Sequence, residues 1–323
     1  MTRPSKDSLL CFFAPLRKTV FLPLPVAFYL LRVKFTASFS STILRFAQTN
    51  PKDFMAGYFK DKVVVVTGGT DGIGRALVDL LLTQGARVAT CARNHDKLYS
   101  LQSEYPSYPL HTVVADVSNE NDCRHFIEST LRSFGGIDVL INNAGISMRA
   151  LLKDASLEVI RKVMEINFFG SVYCTKYALN SLIERKGVIV GVSSIAGYRG
   201  LPGRSGYSAS KFALQGWLEA IRTELMDDGV HVMWVCPGFT TSNIRNAALN
   251  NEGKPQGETP LDEGSLMSAD ECARHILSAV RHRKRTLVLT FTGKRTVIMN
   301  KFFPNWADKL VRNFFFKEGK LVK

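Results

Sequence analysis

The stretch GYSASKFALQGW, residues 206–217, sets Tyr207 and Lys211 four positions apart. On a helix that spacing stacks both side chains on one face, about one turn apart. A phenol gives up its proton near pH 10, and an ammonium beside it favours the phenolate, bringing the hydroxyl closer to acid–base work at neutral pH. The spacing alone is not diagnostic. YFKDK at residues 58–62 repeats it just ahead of a probable strand, where it reads as coincidence. What gives Tyr207 and Lys211 their meaning must come from the rest of the chain.

Two further stretches carry chemistry. TGGTDGIG holds Gly68, Gly72 and Gly74 at a strand-to-helix turn. Glycines there let the backbone approach a pyrophosphate, and the helix that follows offers free N–H groups and its positive end to an anion. Ser194 lies thirteen residues before Tyr207 and follows the apolar run GVIVGVS. Its hydroxyl is therefore expected at a strand's C-terminal end, the edge along which open parallel sheets build their sites. Metal chemistry has no support. The six cysteines are scattered without a C-x-x-C, and no histidine stands at ligand spacing, so the thiols read as reduced and mostly buried, in a cytosol-like compartment.

The elements that must position these groups alternate regularly from Lys62 onward. KVVVVTGG is a continuous β-branched run, as expected for a strand covered on both faces, and GIGRALVDLLLTQG follows with helical periodicity and a closing Gly85. ARVATCAR, LHTVVAD, IDVLINNAG, GVIVGVSS, VHVMWVCPG and TLVLTF supply further strands. Between them lie helical stretches, including long ones over roughly 154–184 and 206–227. Such alternation predicts an α/β fold, a doubly wound parallel sheet with helices on both faces.

The ends have a different character. Residues 1–60 carry nine Lys/Arg against two acids and residues 281–323 twelve against two, whereas residues 61–280 carry 21 against 24. The net charge of +14 thus belongs to the ends, and a mildly acidic body argues against nucleic-acid binding. The uncharged run Thr19–Leu31 is 13 residues long and contains Pro23 and Pro25, whereas a spanning helix needs about 20 apolar residues. A targeting segment, an interfacial anchor, or upstream sequence ahead of a start at Met55 all fit the first stretch. At the other end Phe302, Phe303, Trp306 and Phe314–Phe316 interleave with Lys and Arg. That pattern suits a membrane surface, a subunit contact or a hydrophobic substrate entrance.

Taken together, T-G-x-x-x-G-I-G, NNAG at 142–145, the Ser before Y-x-x-x-K, and PG at 237–238 resemble the short-chain dehydrogenase/reductase family, over roughly residues 60–290. The resemblance implies a single Rossmann-like domain and an oxidoreductase that interconverts a carbonyl and a secondary alcohol. Its catalytic group would be Asn167, Ser194, Tyr207 and Lys211. Tyr207 would donate the proton, Ser194 would hold the carbonyl, Lys211 would bond the nicotinamide ribose and lower the Tyr207 pKa, and Asn167 would support a water-linked proton path. Cofactor contacts would come from Gly68, Thr70, Asp71, Gly72, Ile73 and Gly74. Asp116 and Val117 match the adenine pocket, Asn142, Asn143, Ala144 and Gly145 the segment beside the cofactor, and Pro237, Gly238, Thr240 and Ser242 the nicotinamide end. Ala92 stands where NAD-type relatives keep an acid, and Arg93 follows it. That favours NADP(H), with NAD(H) open because Asp71 replaces the basic residue of many NADP-type relatives.

The implied organisation is a basic, apolar extension over 1–57, the NADP-binding catalytic domain over 58–295 and a basic aromatic tail over 296–323. The tail resembles membrane-associated hydroxysteroid dehydrogenase-like members, which implies a lipophilic ketone, a cytoplasmic location with peripheral membrane contact, and a homodimer or homotetramer. Met148, Tyr198 and Leu201 are expected to line the substrate pocket, with Arg149, Arg199 and Arg204 framing its mouth. The segment after Gly238 suits a mobile lid or plain surface loop. Two other readings of the same fold stand beside this one: a cofactor-sensing, membrane-associated binding protein, and an NAD-dependent alcohol dehydrogenase.

Overall fold

The computed structural model describes residues 57–241, 243–257 and 266–322. The expected N-terminal extension, apart from Gly57, lies outside them, as does Ser242. Seven strands form one parallel sheet in the order β3-β2-β1-β4-β5-β6-β7. They are β1 (Val63–Thr67), β2 (Arg87–Ala92), β3 (Leu110–Val114), β4 (Val139–Asn142), β5 (Val188–Val192), β6 (His231–Cys236) and β7 (Thr286–Val288). The predicted doubly wound α/β fold is what forms.

The valine run explains the centre. β1 is buried along its whole length, pairing with β2 on one side and β4 on the other. Alternate valines face opposite layers. Val64 and Val66 pack with α1 (Gly72–Thr83), α2 (His95–Glu104) and α7 (Ala269–Arg281) through Leu77, Leu81, Leu101, Ile276 and Leu277. Val63 and Val65 pack with α3 (Glu120–Phe134), α5 (Gly170–Glu184) and α6 (Ser205–Glu224) through Phe126, Ile127, Leu182, Leu214 and Leu218. Strand order reverses at β1 and β4, so the crevice of the sheet opens above their C-terminal ends.

Two stretches depart from the sequence reading. The region read as one helix over 154–184 is α4 (Leu157–Met164), a π-turn at Glu165–Phe169, and then α5. TLVLTF is strand only through Val288. Thr290 then takes φ 62 and its hydroxyl accepts the N–H of Gly293 at 3.1 Å, starting α8 (Phe291–Phe302). A positive φ is strained for a β-branched residue and persists only where its surroundings hold it. Here the cap and the packing of Thr290 on Gly238 do so; a Cβ at Gly238 would fall 2.4 Å from Thr290 Cγ2. After α8 the chain continues as α9 (Pro304–Phe315) and a two-stranded ribbon, β8 (Phe316–Lys317) with β9 (Lys320–Leu321). The basic aromatic segment is therefore built of helices, the first of which starts at Phe291. No described helix is long and apolar enough to cross a membrane. The five described cysteines are free and buried.

Candidate active site

A cleft of about 520 Å³ lies above the C-terminal ends of the strands. Its floor begins at the glycine turn. Gly68 has φ 70, and its N–H donates to the Cys91 carbonyl at 2.9 Å. A Cβ at Gly74 would lie 2.1 Å from the Gly68 carbonyl oxygen, so only glycine lets α1 start this close to the turn. Asp71 precedes α1 without capping it through its side chain, and the first turn of α1 carries no acid. The N–H groups and positive end of α1 thus face the cleft free for an anion. This cradle fits a pyrophosphate. Thr70, Asp71, Gly72 and Ile73 line it.

The second wall is fixed by β4. Asn143 N–H and Ala144 N–H both donate to Thr67 Oγ1 at 3.0 Å, and Asn143 Nδ2 donates to the Thr67 carbonyl at 2.9 Å. Asn142, by contrast, is turned into the core, its Nδ2 on Thr175 Oγ1 at 2.9 Å. At the end of β3 the carboxylate of Asp116 accepts from Ser118 N–H and Oγ, and Val117 lies beside it on the cleft wall. Arg93 lines the outer end with an exposed side chain, 3.9 Å from Asp116 Oδ2. Lys97 joins it, donating to Asp71 Oδ2 at 2.9 Å. Sequence reasoning missed Lys97; it stands 26 residues from Asp71, and only the fold brings the two together.

Ser194, Tyr207 and Lys211 meet at the inner end. Ser194 caps a 3-10 turn over Ile195–Gly197, accepting the Ala196 N–H at 3.1 Å, and lines the cleft together with Tyr207. Burial pushes the Tyr207 phenol above its ordinary value, and the nearby Ser194 hydroxyl and the Arg204 charge pull it partly back. The groups drawing that phenol down are thus Ser194 and Arg204, whereas the sequence reading gave the role to Lys211. Lys211 is 3% exposed, its Nζ donates to the Val192 carbonyl at 2.8 Å, and burial drives its pKa down to about 8. The Nζ lies 5.7 Å from the centre of the Tyr207 ring. The look-alike pair Tyr58 and Lys62 sits in the turn before β1, away from this cleft.

Asn167 occupies the π-turn, fully buried. Its Oδ1 accepts the Ile146 N–H at 2.8 Å, and its Nδ2 donates to the Ile146 carbonyl and to Ser210 Oγ, both at 2.9 Å. It therefore clamps the segment after β4 against α6. Gly145 fills the gap between: a Cβ there would lie 3.1 Å from Asn167 Oδ1 and 3.5 Å from Lys211 Nζ. Gln215, a further turn along α6, donates to Ser193 Oγ at 2.7 Å and ties that helix to the end of β5. Its signal in the sequence was the continued four-residue step from Tyr207 and Lys211.

Pro237, Gly238 and Thr240 close the cleft on the β6 side. Beyond them opens a second cavity of about 430 Å³ roofed by α8 and α9, with Ile195, Phe239, Met299, Val311, Phe314 and Phe315 among its walls. Ser194, Leu201, Pro237, Gly238 and Phe239 line both spaces, so Leu201 stands at their junction. Met148 and Tyr198 do not line either. Met148 is fully buried beneath α6, against Gly206, Ile160 and Tyr207. The 3-10 turn after Ser194 directs Tyr198 away, so its hydroxyl accepts the Trp234 indole N–H at 3.0 Å. Nor does Arg199 frame a mouth freely. It donates to Asn300 Oδ1 at 2.9 Å and pairs with Asp308, while Asn300 Nδ2 reaches the Tyr198 carbonyl at 2.8 Å. This clasp holds α8 and α9 over the apolar cavity.

The chain is similar to known proteins in sequence and in fold. The family model for short chain dehydrogenase matches residues 62–253. Dehydrogenase/reductase SDR family member 7B of Mus musculus is 35% identical over 271 residues, covering 81% of this chain and 84% of its own. Among solved structures, a short chain dehydrogenase/reductase from Burkholderia phymatum in complex with NAD superposes with a TM-score of 0.69 at 20% identity, over 77% of this chain and 95% of its own. The alcohol dehydrogenase of Thermococcus sibiricus complexed with 5-hydroxy-NADP gives a TM-score of 0.62 at 26% identity, over 71% and 96%.

Proposed function

This chain belongs to the short-chain dehydrogenase/reductase family, and on that premise we propose that it is an NADP(H)-dependent oxidoreductase that reduces a lipophilic ketone to a secondary alcohol. One observation carries the reading: Ser194 and Tyr207 line the dinucleotide cleft together, at the place where Ser194 also borders an apolar cavity. A bound nicotinamide supplies the hydride, or takes it back in the reverse direction. Ser194 Oγ holds the carbonyl oxygen at reacting distance, and Tyr207 passes its proton to that oxygen. Lys211, as an ammonium fixed by the Val192 carbonyl, would hold the nicotinamide ribose. Asn167 keeps the Ile146 segment and α6 in register so that these groups stay aligned.

The choice of NADP(H) is supported by Ala92, which puts no acid at the end of β2, and by the two cations Arg93 and Lys97, near Asp116 and Asp71 respectively, on the same wall of the cleft. Arg93→Ala is expected to weaken NADPH binding about 10-fold and NADH binding little. Equal affinities for both cofactors in the wild type would contradict the assignment. The lipophilic character is supported by the walls of the second cavity. Exposed aromatic and basic residues on α8 and α9 further suit contact with an anionic membrane surface.

The direct test is NADPH oxidation with a panel of medium- and long-chain ketones. Tyr207→Phe should lower kcat/KM by about 10²–10⁴-fold while NADPH still binds. Tight NADPH binding with no turnover on any ketone or alcohol would favour a cofactor sensor instead.

A further inference from the structure

Among the described residues Arg204 is a cation without an anion. It precedes α6 by one residue and Tyr207 by three, and it lines the cleft at its reacting end. Its guanidinium lies 5.4 Å from the centre of the Phe315 ring, and Phe315 is a wall of the apolar cavity. The side chain is half-buried, and no carboxylate of the described residues pairs with it. Its charged neighbours are Arg149 and Arg245, both of its own sign, and the Tyr207 phenol. The acid nearest in the C-terminal helices, Asp308, is taken by Arg199. Burial and the two arginines all work against the charge of Arg204.

A partly desolvated guanidinium set among like charges is costly unless an anion completes it. The dinucleotide's pyrophosphate would sit at the other end of the cleft, at the start of α1, so the missing anion belongs on the substrate side. We infer that Arg204 binds an anionic oxygen group, carboxylate or phosphate, carried by the lipophilic substrate close to its reacting carbonyl, with the apolar chain in the cavity under α8 and α9. This rests on the oxidoreductase reading above and narrows its substrate class. Arginine is suited to the role because its planar fork meets a carboxylate or phosphate with two parallel hydrogen bonds.

Binding of non-reacting analogues tests this without relying on turnover. Decanoate, decyl phosphate and decanol, each below its micelle concentration, would be titrated into the full chain with NADP(H) present. One or both anions should bind at least about 10-fold more tightly than decanol, and Arg204→Gln should abolish that preference while Arg204→Lys keeps part of it. The anion that shows the larger loss in Arg204→Gln identifies the head group. Decanol binding as tightly as both anions would overturn the inference. So would an equal loss for all three compounds, or a loss of NADPH affinity matching the loss of the anions. A second arm compares 3-oxododecanoate with its methyl ester as substrates. The acid-to-ester ratio of kcat/KM should fall about 10-fold or more in Arg204→Gln, mainly through KM. An unchanged ratio overturns the inference. Failure of the wild type to reduce any ketone, with the anion preference intact, would count against the oxidoreductase reading alone.

Discussion

Lys211 shows at the scale of one residue how function opposes stability. An ammonium sealed against water is disfavoured, and burial takes its pKa from the ordinary 10.5 to about 8. Below pH 8 both folded and unfolded chains hold the proton, and the folded chain carries the full cost of the buried charge. Between pH 8 and 10.5 the unfolded chain binds more protons, so stability rises with pH across that window. Lys211→Met removes the buried charge but leaves the Val192 carbonyl without its donor, an offset of about 1–3 kcal/mol. The variant is expected to be more stable than wild type at pH 7 by about 1–2 kcal/mol, with the difference shrinking toward pH 10. Urea unfolding at both pH values checks this; a variant less stable at pH 7 would refute it. The same change should abolish ketone reduction, because the ammonium that would hold the nicotinamide ribose is gone.

Among the elements, the α8–α9 pair is joined to the rest through few contacts, and the Arg199 clasp is the most specific of them. Arg199→Met removes the bond to Asn300 and the pair with Asp308 and should loosen both helices. The expected result is faster tryptic cleavage within α8, at Lys294 or Lys301, and a KM for long-chain ketones raised about 10-fold, with NADPH binding unchanged. Unchanged cleavage and KM would show that other packing holds the roof. The sequence reading put Arg199 at a pocket mouth but had no means of pairing it with Asn300 and Asp308, about a hundred positions further on. What was legible was local. The valines of β1, the glycines ahead of α1 and the step from Tyr207 to Lys211 each carry their signal within a dozen residues. Placement across elements was not. Met148 and Tyr198 lie close in sequence to site residues, yet the packing of α6 and the 3-10 turn after Ser194 point them elsewhere. Asn167 was found by resemblance, but the π-turn that lets it bond both polar groups of Ile146 has no simple sequence pattern. Asn167→Leu, which orphans those groups, should cost about 2–4 kcal/mol in urea unfolding.

For the whole molecule, charge and apolar exposure coincide. The body between residues 61 and 280 is mildly acidic, while the C-terminal helices and ribbon carry seven Lys/Arg over residues 291–322 against two acids. One of those acids, Asp308, is engaged by Arg199. The same helices expose Phe291, Ile298, Phe302, Phe303 and Trp306, each more than half accessible. Large side chains gathered like this mark an interaction surface rather than ordinary solvent contact, and lysines beside them select an anionic partner. A bilayer with acidic headgroups offers both complements: the aromatics enter the interface while each nearby cation adds about 1 kcal/mol. On the proposed reading, a lipophilic substrate would pass from that bilayer into the apolar cavity, whose roof is this helix pair, without crossing water. The purified chain should sediment with vesicles containing about a third phosphatidylserine and release in high salt, whereas pure phosphatidylcholine vesicles should retain little. The double change Phe302→Ser and Trp306→Ser should cut anionic-vesicle binding about 10-fold or more while leaving the turnover of a short, water-soluble ketone untouched. Equal binding to neutral and anionic vesicles, or none to either, would assign this surface to a protein contact instead.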